Sequence, residues 1–131
     1  MRRALLCLIL LVFQVQAGCG KTKTPLKPFE VIQAEVETMS LEELQATARQ
    51  LVIDIYEGKQ KLDRGEREFK SLSPEAQAGR KGKAADERLG RIRGDVNARA
   101  QRYHLYADKI RALGAEPPKF EDVMGENAKT L

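Results

Sequence analysis

The chain has 131 residues, of which 32% are charged, and a formal net charge of +4. This length suits a single domain with one modest core. With so small a net charge, the composition is that of a well-solvated protein rather than a nucleic-acid binder. Both cysteines, Cys7 and Cys19, lie near the start of the chain, so no disulfide is expected in the rest of it.

The first residues have the layout of an export signal. A positively charged start precedes the apolar run 4–13, and the small residues Ala17 and Gly18 stand directly before Cys19. The apolar run is about half as long as the roughly 20 residues that a membrane-crossing helix needs. We therefore expect this segment to be a signal peptide that is cleaved rather than a membrane anchor.

The stretch Val15-Gln16-Ala17-Gly18-Cys19 resembles the lipobox of bacterial lipoproteins. The resemblance covers the first nineteen or twenty residues and implies that Cys19 receives a diacylglyceryl thioether, that residues 1–18 are removed, and that the new amino group is acylated with a fatty acid such as palmitate. Gln16 stands where such boxes usually carry an aliphatic residue, and plain secretion with cleavage after Ala17 is the alternative. Gly20, in place of an Asp, resembles the usual pattern for delivery to the outer membrane.

The segment 19–27 is interpreted as a tether, with lysines that would lie near anionic head groups. A short helix is predicted over 28–39, because apolar residues recur there at helical spacing: Phe29, Ile32, Val36 and Met39. Ser40 and Glu43 form a capping-box signature for a new helix. One continuous helix with a local bend fits the same pattern.

Two long helices are predicted over 41–72 and 74–113, because each has apolar or small residues at alternating spacings of three and four. Ser73-Pro74 suits the start of the second helix, and Gly114 suits its end. A turn spanning residues 71–83 is the alternative boundary. The first seam is Leu41, Leu44, Ala48, Leu51, Ile55, Gly58, Leu62, Gly65, Phe69 and Leu72, and the second is Gly82, Ala85, Leu89, Ile92, Val96, Arg99, Tyr103, Tyr106, Ile110 and Leu113.

Two such helices joined by a short turn predict an antiparallel hairpin. The expected fold is all-α: a coiled-coil-like antiparallel helical hairpin within a domain over 28–114, with a short N-terminal helix and an irregular tail over 115–131. A register with Phe69 opposite Ala78 pairs Gly58 with Leu89 and Ala48 with Arg99, and it sets Asp54 against Asp95. The short helix, an apolar stripe in the tail or self-association is expected to reinforce the small core.

No catalytic or metal-binding constellation is found. His104 is the single histidine, and no second histidine or retained cysteine cluster could complete a metal site or a nucleophile-base pair with it. We therefore expect no enzyme activity, cofactor, metal, nucleic acid or small-molecule substrate. Residues 80–111 carry ten basic and four acidic side chains, which suggests a face for an anionic partner formed by Arg88, Arg91, Arg102 and Arg111.

The favoured hypothesis is a non-enzymatic envelope lipoprotein, anchored through Cys19 at the outer membrane and facing the periplasm. It would act as a helical structural, assembly or accessory protein, with a protein partner or with a second copy of itself. The alternative is a secreted or anchored binding or chaperone-like module. Its basic second helix would engage an anionic lipid, polymer or protein surface.

Overall fold

The computed structural model describes residues 25–128, and the signal and lipidation predictions at residues 1–24 lie outside that range. Within it five helices and no strand occur, which confirms the all-α prediction. They are α1 (Phe29–Thr38), α2 (Leu41–Lys70), α3 (Pro74–Ala78), α4 (Arg80–Ala112) and α5 (Phe120–Ala128). The antiparallel pair α2 and α4 forms the predicted hairpin, a rod about 45 to 50 Å long.

The short helix α1 is separate from α2, as the capping-box signature predicted. The Ser40 hydroxyl accepts from the Glu43 backbone N–H, and the Glu43 carboxylate accepts from the Ser40 N–H at 2.8 Å. Both bonds satisfy donors that a helix start leaves open. The pKa of Glu43 lies below its ordinary value, because the backbone N–H and the hydroxyl of Ser40 both donate to its carboxylate and favour the charged form.

The turn of the hairpin differs from the expected break at Ser73-Pro74. Ser73 caps a helix as predicted, but that helix is the five-residue α3, and extended backbone at Gly79 separates it from α4. Gly82 packs so tightly on α3 that a Cβ there would stand 1.8 Å from the carbonyl oxygen of Gln77. Only glycine permits this approach, so the predicted second helix is divided into α3 and α4.

The register of α2 against α4 is about one heptad away from the expected one. Gly65, and not Gly58, lies against Leu89: a Cβ on Gly65 would stand 2.6 Å from Leu89 Cδ2. Arg99 pairs with Asp54 at 2.8 Å instead of facing Ala48. The shift arises because the chain reverses around α3, several residues after Ser73-Pro74. The seam positions themselves are largely as predicted, since a heptad shift leaves the same faces together.

At the end of the hairpin away from the turn, α1 and the tail pack against the two long helices. Ile32 and Val36 of α1 join the main core cluster, together with Leu44, Ala48, Leu51, Tyr106 and Ile110. The prediction of an irregular tail is wrong for the residues that form α5. Val123 of this helix is only 1% exposed. The ring of Phe120 lies 5.3 Å from that of Tyr56. We call residues 25–56 and 99–128 the base, and residues 57–98 the arm.

A glycine cap ends α4 at the open end of the hairpin, as the sequence predicted. Gly114 has φ 78°, and its N–H donates to Arg111 O while the Ala115 N–H donates to Ile110 O. This pair of bonds is a Schellman motif. The Tyr103 hydroxyl then donates to Pro118 O at 2.8 Å, which fixes the returning tail beside α4. The outermost seam residues, Leu41 and Leu113, are exposed at this end.

Leu51→Asp is expected to unfold the base, whereas Leu113→Asp is not. Leu51 is 7% exposed in the main core cluster and Leu113 is 50% exposed, so only the first change buries an unpaired charge, at a cost of about 3 kcal/mol or more. Thermal melts followed by circular dichroism measure the difference. Equal melting temperatures for the two variants would contradict the packing described.

Disulfide trapping tests the register. Gly65→Cys with Leu89→Cys should cross-link rapidly under mild oxidation, because the structure brings these positions into contact. Gly58→Cys with Leu89→Cys, the pair of the alternative register, should not, since a disulfide needs Cα atoms within about 7 Å. Non-reducing electrophoresis and peptide mapping read out the bridge. Preferential cross-linking of the second pair would show that the register is wrong.

Candidate functional site

The most buried charge in the described chain is the guanidinium of Arg99. Its side chain is 5% exposed and lies between two carboxylates: Nη1 donates to Asp54 at 2.8 Å and Nε donates to Asp95 at 3.0 Å. Asp95 belongs to the same helix, and Asp54 belongs to α2. The sequence placed these two aspartates in a repulsive contact. The structure instead gives them one arginine to share, so the cluster joins the two long helices.

The four arginines predicted to form an anionic-partner face do not lie together. Arg88 is exposed and 3.8 Å from Glu68, and Arg91 is exposed with no ion pair in the described residues. Arg111 lies roughly 140° around α4 from Arg88 and pairs with Asp108. Arg102 is half-buried and donates to the backbone carbonyls of Ala98 and Lys27. Only Arg88 and Arg91 share an exposed surface.

Arg102 belongs to a polar cluster where the chain enters the base. Its Nη2 donates to Lys27 O at 2.7 Å, and the Lys27 ammonium donates to Glu35 at 2.6 Å. That bond, with the charge of Glu35, raises the pKa of Lys27. Burial, followed by the charge of Glu35, raises the pKa of the neighbouring Tyr106. Glu37 pairs with Lys109 further on, so α1 runs parallel to α4 with its start fixed beside Arg102.

Within residues 25–128 no group of acidic, histidine or cysteine side chains has the arrangement needed to hold a metal ion. His104 is exposed on α4, with the ring of Tyr103 at 5.8 Å, and no acidic side chain is hydrogen-bonded to it. None of the helices in this range is both long enough and apolar enough to cross a membrane.

Charge is divided along the rod. The base carries seven basic and eleven acidic residues, a balance of −4, whereas the arm carries eleven basic and eight acidic residues, a balance of +3. The sequence attributed the basic excess to the second long helix as a whole. The structure shows that the division follows the length of the rod, since the acidic α1 and α5 both pack at the base.

The basic excess is concentrated at the turn end of the arm, residues 64–83, which we call the tip. Six exposed cations lie there without an ion pair to any described residue, namely Arg64, Arg67, Lys70, Arg80, Lys81 and Lys83. Two of the three acidic residues of the tip, Glu66 and Glu68, pair with arginines of α4. Sequence reasoning missed the tip because half of its cations belong to α2, and only the hairpin turn brings them beside those of α4.

No protein-family model matches the chain. No curated protein and no solved structure matches it significantly. Function is therefore inferred from the residues and contacts of this chain alone.

Arg99→Ala should destabilise the fold by about 3 to 5 kcal/mol, because it leaves Asp54 and Asp95 close together without their shared cation. Arg93→Ala is the matched control on the same helix: its pair with Glu66 is exposed, at 55% and 37%, and its loss should cost less than about 1 kcal/mol. Urea unfolding measures both. A cost for Arg99→Ala no greater than that of the control would contradict a structural role for the cluster.

Proposed function

We propose that this chain is a non-enzymatic, lipid-anchored bacterial envelope lipoprotein that acts as a helical structural, assembly or accessory protein. The observation that carries the proposal is the small-residue pair Ala17 and Gly18 before Cys19, directly after a short apolar segment. This order resembles the lipoprotein signal. Gly20 after the cysteine favours the outer membrane, with the domain facing the periplasm.

The two long helices pack in one register and form a rod, whose surface within residues 25–128 carries charge patterns and an open groove. A rod of this kind suits a spacer, a scaffold or a docking element in an envelope complex.

The position of Lys27 supports an orientation for the anchored rod. Lys27 lies eight positions after Cys19, which spans at most about 28 Å. Lys27 is bonded to Arg102, from which the open end of α4 is about 15 Å away and the tip about 33 Å. A lipid on Cys19 therefore reaches any part of the base, while the tip lies at or beyond its limit. In the proposed arrangement the base adjoins the membrane.

Replacing the predicted anchor tests the proposal. Wild-type protein and Cys7→Ala should be recovered from the membrane fraction with an acylated Cys19, whereas Cys19→Ala should carry no acyl chain. Cys7→Ala is the matched control because that cysteine lies in the segment expected to be removed. Intact mass and incorporation of labelled palmitate read out acylation wherever the variant fractionates.

Two results would overturn lipid anchoring. Acylation that persists in Cys19→Ala would place the lipid elsewhere. A wild-type mature chain that begins at Gly18 with an unmodified Cys19 would establish plain secretion. The alternative function, a secreted binding module with a basic surface, would then take its place.

A further inference from the structure

The tip contains an open groove between α2 and α4 with a volume of about 400 Å³. Apolar side chains form its floor, including Leu89 and the half-buried Phe69 and Leu72. Charged side chains stand at its rim, namely Lys81, Arg88 and Glu68. Glu68 lies 3.8 Å from Arg88. The unpaired charge around the groove is therefore positive.

The arm is an incomplete helical bundle. In the base the hairpin seam is covered by α1 and approached by α5, and its residues Leu44, Ala48 and Ile110 have no exposed surface. In the arm the same two helices continue, but the seam residues Leu62, Phe69 and Leu72 stay partly exposed. A third helix laid in the tip groove would extend to the arm the packing that the base already has.

The chain itself shows what kind of helix this hairpin accepts. Both helices that pack onto the base are short and amphipathic, and neither contains a basic residue. The first, α1, buries Ile32 and Val36 while its Glu37 reaches Lys109 of α4. The second, α5, buries Val123 and carries two acidic residues in its first turn. Each combines a narrow apolar stripe with negative charge, which complements a surface built from apolar seam and basic rim.

We propose that the tip groove binds a short acidic amphipathic helix of a partner protein. Its apolar stripe lies on Phe69, Leu72 and Leu89, and its carboxylates face Lys81 and Arg88 at the rim. Charge complementarity carries the choice of partner: within the described residues, the range 64–89 that contains the groove has six cations without an ion pair against three such acidic residues, Glu75, Asp86 and Glu87. The inference rests on the proposed function and deepens it, since a rod anchored at its base presents the tip to partners away from the membrane.

A peptide titration of the full-length chain tests the groove. The protein is ¹⁵N-labelled and carries Cys19→Ala, so that no lipid is needed and a failure of anchoring does not affect the result. The probe is a capped 12-residue peptide with isoleucine and valine four residues apart and glutamates on its other faces. Amide shifts should concentrate at Gly65, Phe69, Leu72 and Leu89, and raising the salt concentration should weaken the binding.

Paired charge reversals locate the contribution of the rim. Lys81→Glu with Arg88→Glu should weaken binding about tenfold, because both side chains stand at the rim of the groove and two attractive contacts become repulsive. Lys59→Glu with Lys61→Glu is the matched control, with the same change in net charge further down the arm, and should leave the affinity within about threefold.

Several outcomes would overturn the proposal. These are an absence of shifts at millimolar peptide, equal binding of a peptide with lysine in place of glutamate, and equal effects of the two double variants. A concentration-dependent shift of the groove amides without peptide, together with a dimer in sedimentation, would mean that a second copy covers the groove.

Discussion

The buried guanidinium of Arg99 is the constraint that gives the hairpin one alignment. A seam of apolar and small residues that repeats every seven positions tolerates a slip of one heptad, because each residue meets another of similar kind. Arg99 does not tolerate it. In the slipped register it would face Ala48 instead of Asp54 and keep only Asp95 of its own helix, and a buried charge that loses one of its two partners is destabilised. Apolar burial therefore drives the pairing of α2 with α4, while the contact of Arg99 with Asp54 selects the register.

The fixed register determines which part of the hairpin is covered by further helices and which part is not. With α3 in the turn, the aromatic residues of α4 meet the start of α2, and the resulting broad surface is covered by α1 and joined by the tail. The part of the rod nearer the turn receives neither element. Its seam contains Gly58, Gly65 and Gly82, which contribute little apolar area of their own. Most of the stabilising burial consequently lies in the base, and the arm depends on that base for its order.

Local sequence signals predicted the local structure, but contacts between residues distant in the sequence could not be predicted from them. The Ser40 and Glu43 cap, the seam positions and the Gly114 cap follow from bonds within one turn of helix or from heptad spacing, and all are found. The register of α2 against α4 and the division of charge along the rod depend on which residue lies at the reversal of the chain. The polar stretch around Gly79 does not indicate that residue. The sequence predicts an exposed Arg102, but the structure shows it half-buried and bonded to a carbonyl 75 residues away. No local pattern indicates such a contact. Cys19, outside the described residues, stays a prediction.

Anchoring and binding, as proposed, use opposite ends of the rod for one physical reason. The chain enters the domain at a point fixed by Arg102, close to the acidic helix that covers the base. Acidic helices packed there leave the base negative and leave the cations of the arm unneutralised, with the largest share at the turn. The tether joins the rod at Lys27, which is bonded to Arg102 about 33 Å along α4 from the turn end. Anchoring at the base therefore leaves the cations of the opposite end outside the anchoring contact, where they are available to acidic partners.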